Sequence, residues 1–130
     1  MLFPAQFDPN DSLIIIGAEV SGSNGRSAKV RLAVDTAASL TTLRPYVATA
    51  LGYNASDGTP IAIRSAIGVE RGYKTKVEAI TALSVTLRGV MVQFVELADH
   101  DIDGLLGLSF LYELNYEIRS KEGRIFAERA

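Results

Sequence analysis

Cysteine is absent from the 130 residues, which excludes disulfide scaffolds, thiolate metal sites and cysteine nucleophiles. Histidine occurs once, at His100, and no Gly-x-Ser-x-Gly elbow accompanies it, so a Ser-His-Asp triad is set aside. An excess of one charge is also missing. Thirteen basic and 15 acidic side chains leave a formal net charge of -2, with no Lys/Arg stripe to follow a phosphate backbone. No nucleic-acid partner is therefore expected. Gly22-Ser23-Asn24-Gly25 lacks the following Lys-Ser/Thr of a phosphate-cradling loop and reads as a turn. No apolar run approaches the ~20 residues that span a bilayer. Met1–Asn10 has neither the basic start nor the apolar stretch of a signal peptide. A cytoplasmic chain without membrane contact is the expectation.

What is present is a core-forming composition: 48% hydrophobic and 22% charged residues. A chain of this size buries roughly two-thirds of its unfolded surface, enough for a core without staples. One domain over residues 1–130 is expected, with residues 1–11 as a loose N-terminal segment.

The patterning is that of strands. Ser12–Val20 carries the β-branched run Ile14-Ile15-Ile16. Asn24-Gly25 marks a hairpin turn. Ala28–Val34 then alternates Val30, Leu32 and Val34 against Lys29 and Arg31, as a half-buried strand does. A helix is expected over Arg44–Leu51, with Pro45 in its first turn and Gly52 as its stop. From Pro60 to Leu97 the chain reads as β structure. Gly68 and Gly72 flank one hairpin tip, and Arg88-Gly89 marks a turn between Ile80–Leu87 and Val90–Leu97. Ser109 is placed to cap a short helix over Phe110–Leu114. Tyr116–Arg119 and Arg124–Glu128 form a closing hairpin. The fold class is mostly β, a closed sheet with two short helices.

Two features bear on chemistry. Asp35 leaves the apolar strand Val30–Val34 and enters the small polar stretch Thr36-Ala37-Ala38-Ser39. A carboxylate there either starts a turn through local hydrogen bonds or is held by donors for a purpose. Asp99-His100-Asp101 with Asp103 gathers three carboxylates and the sole imidazole. Such ligands bind divalent cations, yet a solvated acidic loop is the better reading, and no metal or cofactor is expected.

The two stretches Leu32-Ala33-Val34-Asp35-Thr36-Ala37-Ala38-Ser39 and Asp103-Gly104-Leu105-Leu106-Gly107-Leu108-Ser109-Phe110-Leu111 together resemble the retropepsin-like aspartic proteases. The first is similar to their Asp-Thr-Gly-Ala-Ser signature, the second to the Asp-Gly-Leu-Leu-Gly-x-x-Phe-Leu string of bacterial members. The resemblance runs from about Ile14 to Phe126. It implies a closed, acid-protease-like single-lobe barrel that works as a homodimer on a peptide or protein substrate. It implies that Asp35 is catalytic, with Thr36, Ala37, Ala38 and Ser39 supporting the active-site loop. Leu105, Leu106 and Gly107 would pack under the site. Arg64–Lys74, with Ala66, Ile67, Gly68 and Val69 near its tip, would be the flap; an ordinary exposed hairpin is the alternative. Ala37 departs from the family's glycine. It leaves open a catalytically degenerate peptide-binding or dimerisation module, since fold and turnover are separable.

Overall fold

The computed structural model describes residues 4–65, 68–98 and 101–130. Strands β2 (Ile15–Ser21) and β3 (Ser27–Val34) form an antiparallel pair. The short strand β4 (Thr41–Leu43) leads into helix α1 (Pro45–Leu51). A long hairpin follows, β5 (Thr59–Ser65) with β6 (Gly68–Ala82), and β6 returns as β7 (Val85–Phe94). Strand β8 (Gly104–Leu106), helix α2 (Leu108–Leu111) and the hairpin β9 (Leu114–Arg119) and β10 (Arg124–Arg129) complete the chain. A two-residue strand β1 (Ala5–Gln6) pairs with β10. The neighbour order β2-β3-β8-β4-β7-β6 closes on itself through a β6–β2 pairing, which makes a six-stranded barrel; β5 hangs from β6 outside the ring. Strands β1, β10 and β9 form a separate three-stranded sheet. Among the described residues no helix is long and apolar enough to cross a membrane.

Alternation builds the barrel core. Val30 and Leu32 of β3, Leu43 of β4, Val90, Val92 and Phe94 of β7 and Leu106 of β8 all point inward and are buried. Helix α1 closes one side with Val47, Ala48 and Leu51. Its limits follow the local chemistry: Pro45 sits at the first turn, and Gly52 adopts the left-handed conformation (φ 85°) that ends it. Tyr73 and Tyr53 lean on Phe94, with ring centroids 5.2 and 6.0 Å apart.

Several expectations are corrected. The β6–β7 turn is at Leu83-Ser84, both at positive φ (54° and 65°), and not at Arg88-Gly89, which lies inside β7. Leu83 is buried, and its packing offsets the strain of a left-handed leucine. Gly72 does not flank the hairpin tip but sits within β6, at a close approach where a Cβ would lie 2.0 Å from Phe94 O. Helix α2 begins at Leu108 with Gly107 as its cap position, so Ser109 is inside the helix and its hydroxyl is free for another partner. The described part of the N-terminal segment is anchored: besides β1, Phe7 N–H donates to Gly123 O at 2.9 Å.

Candidate active site

Strand β8 lies between β3 and β4, parallel to the first (Val34 opposite Leu106) and antiparallel to the second (Thr42 opposite Leu105). Residues 35–40 therefore loop across the end of β8. Asp35 N–H extends the ladder by one rung, donating to Leu106 O at 3.0 Å. Its carboxylate Oδ1 accepts the Ala37 N–H at 2.9 Å, and its carbonyl accepts the Ala38 N–H at 3.2 Å. The local turn expected of an aspartate is thus formed, but by one oxygen only. Among the described residues Oδ2 has no protein partner. Asp35 is half-buried, and Thr36, Ala37 and Ser39 are exposed.

The chain after β8 straps this loop from below. Leu108 N–H donates to Ala38 O at 2.8 Å and Ser109 N–H to Ser39 O at 3.0 Å. The fully buried Thr41 completes the brace: its N–H donates to Ser109 Oγ at 2.9 Å, and its Oγ1 accepts the Gly107 N–H at 3.1 Å. Such contact requires glycine. A Cβ on Gly107 would lie 2.6 Å from Ala38 O and 2.7 Å from Leu40 O, and one on Gly104 would lie 2.1 Å from Thr42 O. Both glycines of the Gly-Leu-Leu-Gly string are thus explained by close approach. Leu106 is a core residue, whereas Leu105 is half-buried and turned to the opposite face, the face that carries Asp35 two residues beyond Ala33.

Ala37 stands outside the left-handed region, where glycine would be needed, so the alanine brings no backbone strain. Asp103 is a structural anchor. Its Oδ2 accepts the Arg31 N–H at 2.7 Å, its Oδ1 accepts the Tyr46 hydroxyl, and its carbonyl accepts the Arg44 N–H at 3.0 Å. Arg44, buried at the head of α1, donates to Ile102 O at 2.7 Å and to Leu97 O at 2.9 Å and pairs with Glu96. These contacts pin the loop that delivers β8. Asp99 and His100 lie outside the described residues; among those described, no group of three or more potential metal ligands occurs.

Hairpin β5–β6 runs in register from Thr59 opposite Lys74 to Ser65 opposite Gly68. Ala66 and Ile67, expected at its tip, lie outside the described residues; Gly68 and Val69 are exposed, Gly68 at φ 142°. Thr41 and Ser109 are the residues that sequence reasoning missed. Their only signal was a hydroxyl six residues after Asp35 and another two residues after Gly107.

No curated protein matches this chain. The profile of the family described as Aspartyl protease matches residues 16–110. The crystal structure of a retropepsin-like aspartic protease from Rickettsia conorii superimposes with a TM-score of 0.70 at 21% identity, and 98% of each chain is covered. The barrel is therefore of the retropepsin-like fold. With the family profile spanning both the Asp35 loop and the glycine-tight strand that braces it, the chain belongs to the aspartyl protease family, among the aspartic-type endopeptidases.

Proposed function

We propose that two copies of this chain form one peptide-bond-hydrolysing site, each supplying Asp35. The observation that carries this reading is the single Asp35 loop, braced from below, with one carboxylate oxygen unengaged and Thr36 and Ala37 facing outward. Hydrolysis by carboxylates needs two of them, one ionised and one protonated. One such loop per chain leaves a symmetric dimer as the source of the second.

Two carboxyl groups about 3 Å apart do not both ionise, so they share one proton and titrate as a pair. The ionised member takes a proton from water, whose oxygen attacks the scissile carbonyl carbon. The protonated member donates to the carbonyl oxygen. On collapse the C–N bond breaks and the leaving nitrogen receives a proton from the dyad. In this arrangement Thr36 hydrogen-bonds across the two-fold axis, and Ala37 offers backbone beside the carboxylates. Ala38 and Ser39 take up the straps from α2, while Leu106 and Gly107 hold the floor. Hairpin β5–β6 acts as a flap that closes over an extended peptide, adds backbone hydrogen bonds and excludes water. Ala37, the feature that favours a catalytically silent module, lies outside the left-handed region, so backbone strain does not count against the catalytic reading.

Dilution through the dimer–monomer transition tests the reading. Turnover per protomer is expected to fall with dilution in step with the dimer fraction seen by sedimentation. Asp35→Asn is expected to remain dimeric and lose cleavage. Activity in a monomer, or wild-type turnover by purified Asp35→Asn, contradicts it.

A further inference from the structure

One ladder of cross-strand partners runs sideways from the Asp35 strand: Ala33 opposite Leu105, Leu105 opposite Thr42, Thr42 opposite Gln93, and Gln93 opposite Lys74. Residues directly opposite share a sheet face, and so do residues two apart on one strand. Asp35, Leu105, Gln93 and Lys74 therefore look out from the same face, away from the core row of Leu32, Leu43 and Phe94. On this face Gln93 is half-buried, where an apolar side chain would be the simpler choice.

Its hydrogen bonding is oriented. Gln93 Nε2 lies 2.8 Å from Thr42 Oγ1. Thr42 Oγ1 in turn donates to Leu40 O at 3.2 Å. A hydroxyl has one hydrogen. With that hydrogen committed to Leu40, the Thr42 oxygen has only acceptor capacity left, so the amide must turn its NH2 group inward. Gln93 Oε1 is left as an acceptor with no protein partner among the described residues. Lys74, opposite it in the ladder and also half-buried, brings a donor to the same patch. Three strand spacings separate β7 from β3, about 14 Å at ~4.8 Å each. An extended peptide advances ~3.3 Å per residue, so about four residues, or three together with the reach of an amide side chain, span that distance.

We infer that Gln93, oriented by Thr42, is a specificity-determining residue that selects a neutral amide side chain, Asn or Gln, at that distance from the scissile bond. The inference rests on the proteolytic reading above. The substrate amide N–H donates to Gln93 Oε1, and its carbonyl accepts from Lys74. A carboxylate would set lone pairs against Oε1, a cation would meet the Lys74 ammonium, and an aliphatic side chain would leave Oε1 dry and unpaired. Two-fold symmetry places the same preference on both sides of the cleaved bond.

The test is a set of peptides that differ only at those positions, carrying Asn or Gln, Leu, Glu or Lys, with kcat/KM measured for each on the wild-type dimer and on Gln93→Leu. The wild type is expected to favour the amides over Leu about tenfold, the equivalent of one well-made hydrogen bond. Gln93→Leu is expected to reverse that order. A wild-type preference for Leu, or no preference, overturns the inference whether or not the variant folds. An amide preference that survives in Gln93→Leu also overturns it. Failure to cleave any peptide is a different result, because it removes the proteolytic reading and the inference with it.

Discussion

The loop that carries Asp35 and the hairpin β5–β6 are both excursions from the same barrel, and they are held in opposite ways. Residues 35–41 are tied by bonds from β8 and α2, with a fully buried threonine as the clasp and two glycines that tolerate no Cβ. The hairpin beyond Gly72 has its own ladder, an exposed surface and, at Gly68, a backbone conformation that side chains resist. In the proposed site the Asp35 loop is the fixed floor and hairpin β5–β6, packed mainly on its own ladder, is the roof. That division suits a reaction in which carboxylate geometry must be held while an extended chain enters and leaves.

The contrast can be broken most forcibly at Gly107. Gly107→Ala pushes a methyl into the Ala38 and Leu40 carbonyls, and is expected to destabilise the fold by about 3 kcal/mol. Denaturant unfolding reads this, and an unchanged midpoint would mean the loop is not clamped. Next is Ser109→Ala, which leaves the buried Thr41 N–H without its acceptor. A loss of about 2 kcal/mol is expected, with recovery in Ser109→Thr. Gly68→Ala samples the other region. It is expected to cost about 1 kcal/mol, confined to the hairpin. Hydrogen exchange should quicken at residues 59–74 and stay as it was in β3, β4 and β8. Faster exchange throughout the barrel would show that roof and floor are one cooperative unit.

The smallest effect is expected at the hairpin's root. The Tyr73 hydroxyl is shut off from solvent without a partner among the described residues. Burial raises its pKa first, and the charges of Asp57 and Tyr53 raise it further. A phenol whose folded pKa is raised contributes stability that is full below the ordinary tyrosine value of about 10 and is lost as pH rises through the folded value. Tyr73→Phe is expected to be neutral or stabilising by up to about 1 kcal/mol at neutral pH. It should also show a shallower loss of stability above pH ~10. Equal alkaline slopes in the two proteins would contradict this.

Much of this architecture was legible in local chemistry. Pro45 and Gly52 bracket α1, the Val30-Leu32-Val34 alternation marks β3, and the two short motifs place Asp35 and β8 in one lobe. The rest depends on tertiary contact. A leucine and a serine turn left-handed at the β6–β7 connection because Leu83 packs into the core, so glycine-based turn reasoning looked instead to Gly89, whose φ of 65° occurs inside a strand. Ser109 reads as a helix cap in one dimension and serves Thr41 in three. Gln93 reads as an ordinary strand residue, and its orientation emerges only when Thr42 is seen to have committed its hydrogen to Leu40. Barrel closure through β2 and β6 likewise joins residues too distant in the chain for any local pattern to announce.

The most direct measurement mixes wild-type protein with Asp35→Asn after exchange of subunits. If each site needs one aspartate from each protomer, an equal mixture holds about a quarter of its dimers as wild-type pairs, and turnover per wild-type chain falls to about half that of the unmixed enzyme. Turnover per wild-type chain that stays constant as Asp35→Asn is added would mean that a single chain carries a complete site, and the shared-carboxylate account would be wrong.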